Sequence, residues 1–428
     1  MTFLPFAVLF MWLMSAAVWA NYGYPVKNSF LATVAGTPSG HVYALEQTVV
    51  SEVVLNVHKA TDAPAVFSEV SSPAFKLAWQ HNPAPLIFII AGTGGRYDAH
   101  KVEYLKRVYY QAGYHVIQLS SPTSYDFIVN SSKEHRPGLS RTDASDLYQL
   151  MQQALKRTSA FKKLRITNFQ LTGYSLGAAN AVWVGYLDAS QKKIGFQRIL
   201  LINPPVSLKT AMDNLDRMIL AKVPGVKDSS SLFDHFFTRL ADYFRVHKSI
   251  DLDKSLLFEL QKSPAALSSE ELALLIGLVF RFSVASMTFT SDVMTSSGFI
   301  VPKGVNIKNS DDRTPYFARA MSCSFNHYFQ KLILPVQKKT LPMVSEAQLL
   351  RENSLPYLKR WLQNVSHIGV MHNADDFILD QKGLSFLYDV FDRRVVIYPH
   401  GGHMGNLEYQ QNIKDMLGFM QKGAFPDA

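Results

Sequence analysis

Two rhythms of apolar and polar positions divide the chain. From Pro85 to Pro205, short continuous apolar runs alternate with stretches of helical spacing. Leu86 to Ile90 is apolar throughout and is ended by Gly92 and Gly94, which predicts a strand buried on both faces. Val102, Leu105, Val108 and Tyr109 share one helical face, and Gly113 caps that helix. Val116–Leu119 reads as a second strand. Asp143–Leu155 follows as a helix with Leu147, Leu150, Met151 and Leu155 on one face. Ile166–Leu171 is a third strand, Leu176–Leu187 a helix, and Ile199–Ile202 a fourth strand closed by Asn203-Pro204-Pro205. The rhythm returns near the C-terminus, with strand His367–Met371, helix Leu384–Phe391 and strand Val395–Tyr398. Strands and helices alternating at this spacing imply right-handed crossovers and a mostly parallel central sheet flanked by helices, an α/β fold.

Outside these blocks the pattern changes. Residues 21–84 read as N-terminal strands and turns, with one or two antiparallel strands within Tyr43–Val57. Between 206 and 345 the strand rhythm stops, and Ile219–Leu278 carries helical spacing. Leu272–Phe280 is strongly apolar but is followed by Arg281 and then by serines and threonines. A run that short predicts a buried helix and not a membrane span. Gly298–Asp312 reads as a loop. The sheet, built from 85–205 and 346–428, is therefore expected to be interrupted by a helical cap insertion at 206–345, the size of a small domain.

Phe3–Ala20 is apolar or small and uncharged, and ends in Val18-Trp19-Ala20. That predicts a secretory signal peptide at 1–20, a mature chain from Asn21, and export to the periplasm or the medium. No Lys or Arg precedes the apolar stretch, so an uncleaved anchor helix is the alternative. No cysteine follows it, which removes a lipoprotein anchor.

Composition narrows the chemistry. Hydrophobic residues make up 47% and charged residues 18%, a globular balance. The net charge of +9 is scattered, with no run of five like charges and no basic tract interleaved with aromatics. Nucleic acid therefore does not fit as a partner, whereas a weak peripheral attraction to anionic membrane surfaces does. Cys323 is the single cysteine, so neither an internal disulfide nor a thiol metal cluster can form, and HExxH is absent. The sequence calls for no cofactor and no metal.

The chemistry lies in four segments. Gly173-Tyr174-Ser175-Leu176-Gly177 sits between a predicted strand and a predicted helix. A serine on so sharp a turn is held in strained geometry. Side chains two residues either side would collide, so glycine is needed at both places. Ala91-Gly92-Thr93-Gly94-Gly95 follows the strand at 86–90 and can point a backbone N–H at a developing oxyanion. Thr93 is the expected loop donor with Gly94 next to it, and the N–H of Leu176 is the other. No Lys-Ser/Thr follows, which argues against a phosphate loop. Asn373-Ala374-Asp375-Asp376 follows strand 367–371, on the side of the sheet where ligands bind. Either aspartate could orient an imidazole, and Asp375 could instead be a solvated turn residue or a helix cap. His400-Gly401-Gly402-His403-Met404-Gly405 follows the last strand, and a histidine on that loop can swing over the serine.

These segments, in the order Ser, Asp, His, resemble the α/β-hydrolase superfamily with a cap inserted after the sixth core strand. The resemblance covers about 85–205 and 350–425. It departs at Ala91-Gly92, where many members have His-Gly. It implies Ser175 as nucleophile, His403 as base and Asp376 as its partner, because Asp376 precedes apolar Phe377-Ile378-Leu379 as the acid usually does. The implied activity is cleavage of an ester or thioester of a small acyl substrate, lipid-like if the aromatic cap lines the pocket. Acyl transfer and peptide cleavage use the same residues. A non-catalytic envelope protein on this scaffold is the alternative of another class. Phe236, Phe237, Leu240, Tyr243, Phe244, Leu272, Leu275, Phe280, Phe282 and Met287 make the cap apolar. Arg96 and Tyr97 stand beside the oxyanion loop, as substrate contacts or as plain surface residues.

Overall fold

The computed structural model describes residues 22–426, except 58–62, 71, 225, 227–230, 232–237, 239–255, 264 and 309. The expected signal peptide and the cap residues Phe236, Phe237, Leu240, Tyr243 and Phe244 lie outside the described residues.

Eight strands form one sheet in the order β1-β2-β4-β3-β5-β6-β7-β8. They are β1 Glu52–Asn56, β2 Ala74–Ala78, β3 Ala84–Ile90, β4 His115–Leu119, β5 Ile166–Tyr174, β6 Phe196–Ile202, β7 Ile368–Asn373 and β8 Val395–Tyr398. β2 is antiparallel to both its neighbours, and every other pairing is parallel. Successive side chains of a strand point to opposite faces, and β3 shows the consequence. Leu86, Phe88 and Ile90 enter one core with Leu147, Trp183 and Leu387. Ile87 and Ile89 enter the other with Val102, Leu105, Ile413 and Phe419. Both faces are thus covered by helices, and all of these side chains are buried. Each contributes roughly 1.5–3 kcal/mol by leaving water.

The predicted strands and helices of 85–205 and 367–398 appear at their expected places. The N-terminal region differs. It contains a helix, Ser29–Ala35, whose cap is Asn28 accepting from the Leu31 N–H. Of the two antiparallel strands, one lies at 52–56 and the other at 74–78, beyond the Tyr43–Val57 stretch. β2 is five residues long with only Phe75 and Leu77 as large apolar residues, too brief to register as a pattern.

Between β6 and β7 the described residues are helical or irregular. The apolar run at 272–280 is the first part of one long helix, Ser269–Thr295, opened by a capping box between Ser268 and Glu271. Among the described residues it is the one helix long and apolar enough to cross a membrane. The expectation that the segment is too short for that is corrected: helix continues through Arg281 for 27 residues. More than half of its most apolar window is nevertheless buried against the fold. A Cβ at Gly277 would fall 2.6 Å from the Ile219 nitrogen, so its backbone packs directly on the end of helix Leu208–Met218.

Candidate active site

β5 ends at Tyr174 and the next helix begins at Leu176, which leaves Ser175 alone on the turn with φ 54° and ψ −128°. Such backbone costs about 1–3 kcal/mol and persists only where the surroundings over-determine it. Here they do so by contact. A Cβ on Gly173 would lie 2.3 Å from the Gly177 carbonyl oxygen, and one on Gly177 would lie 2.4 Å from that of Ala91. A Cβ on Gly92 would meet the Tyr174 ring at 2.7 Å and Ser175 Cβ at 3.2 Å. The Ser175 N–H donates to Ile202 O at 2.8 Å, tying the turn to the end of β6.

The three expected residues come together. Ser175 Oγ lies 2.9 Å from His403 Nε2. His403 Nδ1 lies 2.9 Å from Asp376 Oδ2 and 3.2 Å from Oδ1. A carboxylate only accepts, so Nδ1 carries the proton and Nε2 offers its lone pair to the serine hydroxyl. Burial pushes the Asp376 carboxyl up. The positive pull of His403, its hydrogen bond, His372 and the Ile378 N–H outweigh that, and the carboxyl rests below its usual range.

Two residues behind Asp376 were not singled out from the sequence. Asn203, at φ 48° just past β6, donates Nδ2–H to Asp376 Oδ2 at 2.8 Å. His372 is fully buried. Its Nε2 faces the Pro204 carbonyl at 3.2 Å and its Nδ1 accepts from the Asn373 N–H at 2.8 Å, which fixes the tautomer. Burial lowers its basicity. Asn203 had a readable signal, a lone polar residue before two prolines at a strand end. His372 sits inside an apolar strand and had none.

Asp375 is neither a solvated turn residue nor a helix cap. It accepts from the Gly402 N–H at 2.9 Å and the Gly401 N–H at 3.2 Å, holding the histidine loop. Burial raises its carboxyl above the usual range. His400 turns away and bonds the Tyr24 carbonyl at 2.9 Å. The loop is clamped from the N-terminal helix as well. The His403 N–H donates to Thr33 Oγ1 at 2.8 Å, and that hydroxyl donates to Ser29 O at 2.7 Å. Gly402 and Gly405 have no room for a side chain, since a Cβ there would come within 2.1 Å of Ser29 O and 2.2 Å of Ala32 O.

The oxyanion expectation needs one correction. The Gly94 N–H donates to Thr123 Oγ1 at 2.9 Å, and an N–H has one proton, so Gly94 is engaged elsewhere. Thr93 and Leu176 both line the pocket beside Ser175. Leu176 is the first residue of its helix, where the N–H has no intrahelical acceptor. Arg96 and Tyr97 are not part of the pocket. Arg96 pairs with Asp98 at 3.1 Å and with the Tyr125 hydroxyl at 2.6 Å, and Tyr97 is buried.

The pocket is walled mainly by Pro205, Leu208, Ala211, Met212, Leu215, Met287, Phe325, Phe329 and Ile378. Of the described cap aromatics, Phe280 lies against the His403 ring at 6.4 Å, while Phe282 is exposed and stacks on Phe317. Leu272 is buried in a cluster with Leu260 and Leu267, against which Leu275 packs.

No protein-family model and no curated protein matches the sequence. Among solved structures the chain is similar to a membrane phospholipase A that is a bacterial virulence factor, at 16% identity with 97% of each chain covered and a TM-score of 0.38. It is similar to a peroxisomal alpha-beta-hydrolase of Saccharomyces cerevisiae at 12% identity, covering 88% of this chain and 89% of that one, with a TM-score of 0.40. An esterase of Pyrococcus furiosus is similar at 10% identity, with 88% and 93% covered and a TM-score of 0.38. The strand order with β2 alone reversed, the serine on a strand-to-helix elbow, and the order Ser, Asp, His along the chain give this protein the α/β-hydrolase fold.

Proposed function

We propose that the protein is a serine hydrolase that cleaves an acyl ester or thioester through a covalent acyl-enzyme. The observation that carries this reading is the unbroken hydrogen-bonded series from Ser175 through His403 to Asp376, opening onto an apolar pocket. Ser175 Oγ attacks the carbonyl carbon while His403 Nε2 takes its proton. The oxyanion that forms receives the N–H groups of Thr93 and Leu176, each such donor being worth about 10²–10³ in rate. Collapse breaks the bond to the leaving group, which takes the proton from Nε2. Water then attacks the acyl-enzyme, His403 accepts its proton and returns it to Ser175, and the acid departs. Asp376 stays ionised throughout and holds the imidazole in the tautomer the attack needs.

Apolar walls favour an aliphatic acyl chain. Hydrolysis of p-nitrophenyl esters of graded acyl length by wild type and by Ser175→Ala tests the reading. Turnover by wild type alone, with a preference among lengths, is expected. Equal rates for the two proteins would overturn it. Export belongs to the same proposal and is supported by the uncharged stretch 3–20 and its small residues at the predicted cleavage point. N-terminal sequencing of protein from its native host should begin near Asn21, and an intact Met1 on a cytoplasmic species would contradict export.

A further inference from the structure

The wall of the pocket is broken by two polar side chains that the mechanism does not use. Ser140 and Asp143 lie three positions apart in the first turn of helix Ser140–Phe161, a spacing that puts them on one face. Both line the pocket, and both are almost inaccessible, at 1% and 4% exposed. Asp143 accepts from the Gly138 N–H with Oδ2 at 2.9 Å, and its Oδ1 has no partner among the described residues. The Ser140 hydroxyl has none either. Of the other hydroxyls of that wall, those of Thr123, Tyr328 and Ser175 are engaged. Thr123 Oγ1 holds the Gly94 N–H and Ser121 Oγ, and the Tyr328 hydroxyl donates to Pro137 O at 2.8 Å. Ser140 Oγ and Asp143 Oδ1 are not sealed off but reach the cavity, and an occupant that covers them without pairing them costs about 1–3 kcal/mol each.

We propose that Ser140 and Asp143 form a subsite for a hydroxyl group carried on the aliphatic chain that fills the pocket, so that the substrate is a hydroxylated acyl ester; the ester rests on the hydrolase reading, the subsite does not. Chemistry selects a hydroxyl. Burial holds the Asp143 carboxyl well above its usual range, with Asp146 and Glu134 adding to the effect against the Gly138 N–H. A neutral carboxyl beside a serine hydroxyl can donate to and accept from the same oxygen. An ammonium group would require the ionised carboxylate that burial opposes. A plain chain would cover both groups and leave them unpaired.

Calorimetric titration of the full chain carrying Ser175→Ala, which leaves esters intact, tests this directly. The ligands are methyl esters of hexanoic, octanoic and decanoic acid, each beside its ω-hydroxy counterpart. At one chain length the hydroxylated ester should bind about tenfold tighter than the plain one, the size of one net hydrogen bond. That ratio should fall to about one when Ser140→Ala or Asp143→Leu is added. Ratios near one at every length, or a preference that survives both changes, would overturn the subsite. If Asp143→Leu fails to fold, Ser140→Ala decides alone, since Ser140 bonds no neighbour. A hydroxyl preference in the Ser175→Ala protein, with a wild type that hydrolyses neither these esters nor the p-nitrophenyl esters and thioesters of the same acids, would sink the hydrolase reading and leave the subsite standing.

Discussion

The serine and the histidine meet at 2.9 Å, yet the chain builds the two sides of that meeting in opposite ways. On the serine side the constraint is steric and local. Gly173, Ser175 and Gly177 lie within five residues, and the backbone of the turn touches itself and the end of β3 so closely that no side chain fits. On the histidine side the constraint is remote, and polar bonds join the close backbone contacts of Gly402 and Gly405 on Ser29 and Ala32. The loop is held by Asp375, 26 and 27 positions away from its partners Gly401 and Gly402, and by Thr33, 370 positions away from His403. Asn373 adds a bond from its Nδ2–H to Gly402 O at 2.7 Å and exchanges amide bonds with Asn406. A strained turn is written into a short motif, whereas a loop is placed by the sum of bonds from distant parts of the chain. The first should fail all at once, the second by degrees.

Four changes would break or sharpen that contrast. The largest effect belongs to Asp376→Asn, which keeps the shape but favours the wrong imidazole tautomer. Steady-state kinetics should show a loss of about 10⁴ in kcat. A loss under about tenfold would remove Asp376 from its role. Gly177→Ala comes next. Its methyl group would stand 2.4 Å from the Ala91 oxygen, so the turn and β3 must part, at a cost of about 3 kcal/mol or more in denaturant unfolding. An unchanged unfolding midpoint would show that the turn has slack. Thr33→Val leaves the His403 N–H without its acceptor, and about 1–3 kcal/mol of stability should go with it. kcat should drop by a smaller factor than for Asp376→Asn, with rescue by Thr33→Ser. No rescue by serine would mean that the hydroxyl is not what places the loop. Asp375→Asn is expected to be mildest, since its amide oxygen can still accept one of the two glycine N–H groups, and a cost of about 1 kcal/mol is expected. If it lost more activity than Asp376→Asn, the two aspartates would have exchanged roles.

The same contrast explains what the sequence disclosed. The strands β3, β6 and β8 were legible because strands buried on both faces are rich in continuous apolar runs, as Leu86–Ile90, Ile199–Ile202 and Val395–Tyr398 are. The elbow was legible because its sterics act between neighbours. Asp376 and His403 were placed by their loops after predicted strands together with the resemblance to this fold, in which the acid precedes an apolar run such as Phe377-Ile378-Leu379. Asp375 as an anchor for the histidine loop could not be read, since nothing in Asn-Ala-Asp-Asp distinguishes a carboxylate facing an imidazole from one facing two backbone N–H groups. Helix Ser29–Ala35 was missed because seven residues including Phe, Thr and Val carry little helical signal beyond the Asn28 cap. Thr33 was invisible for that reason and because its partner lies at the other end of the chain. Gly94 was expected as an oxyanion donor on its glycine-rich context, and only the position of Thr123 shows that its N–H is taken.

The central claim is that Ser175 is a nucleophile activated by His403. Labelling with a fluorophosphonate, read by intact mass and by the mass of the modified peptide, tests it without any assumption about substrate. One equivalent should attach to Ser175 in wild type, with no label on Ser175→Ala and labelling slowed by orders of magnitude in His403→Ala. Labelling that persists in Ser175→Ala, or a folded wild-type protein that takes up no label, would contradict it.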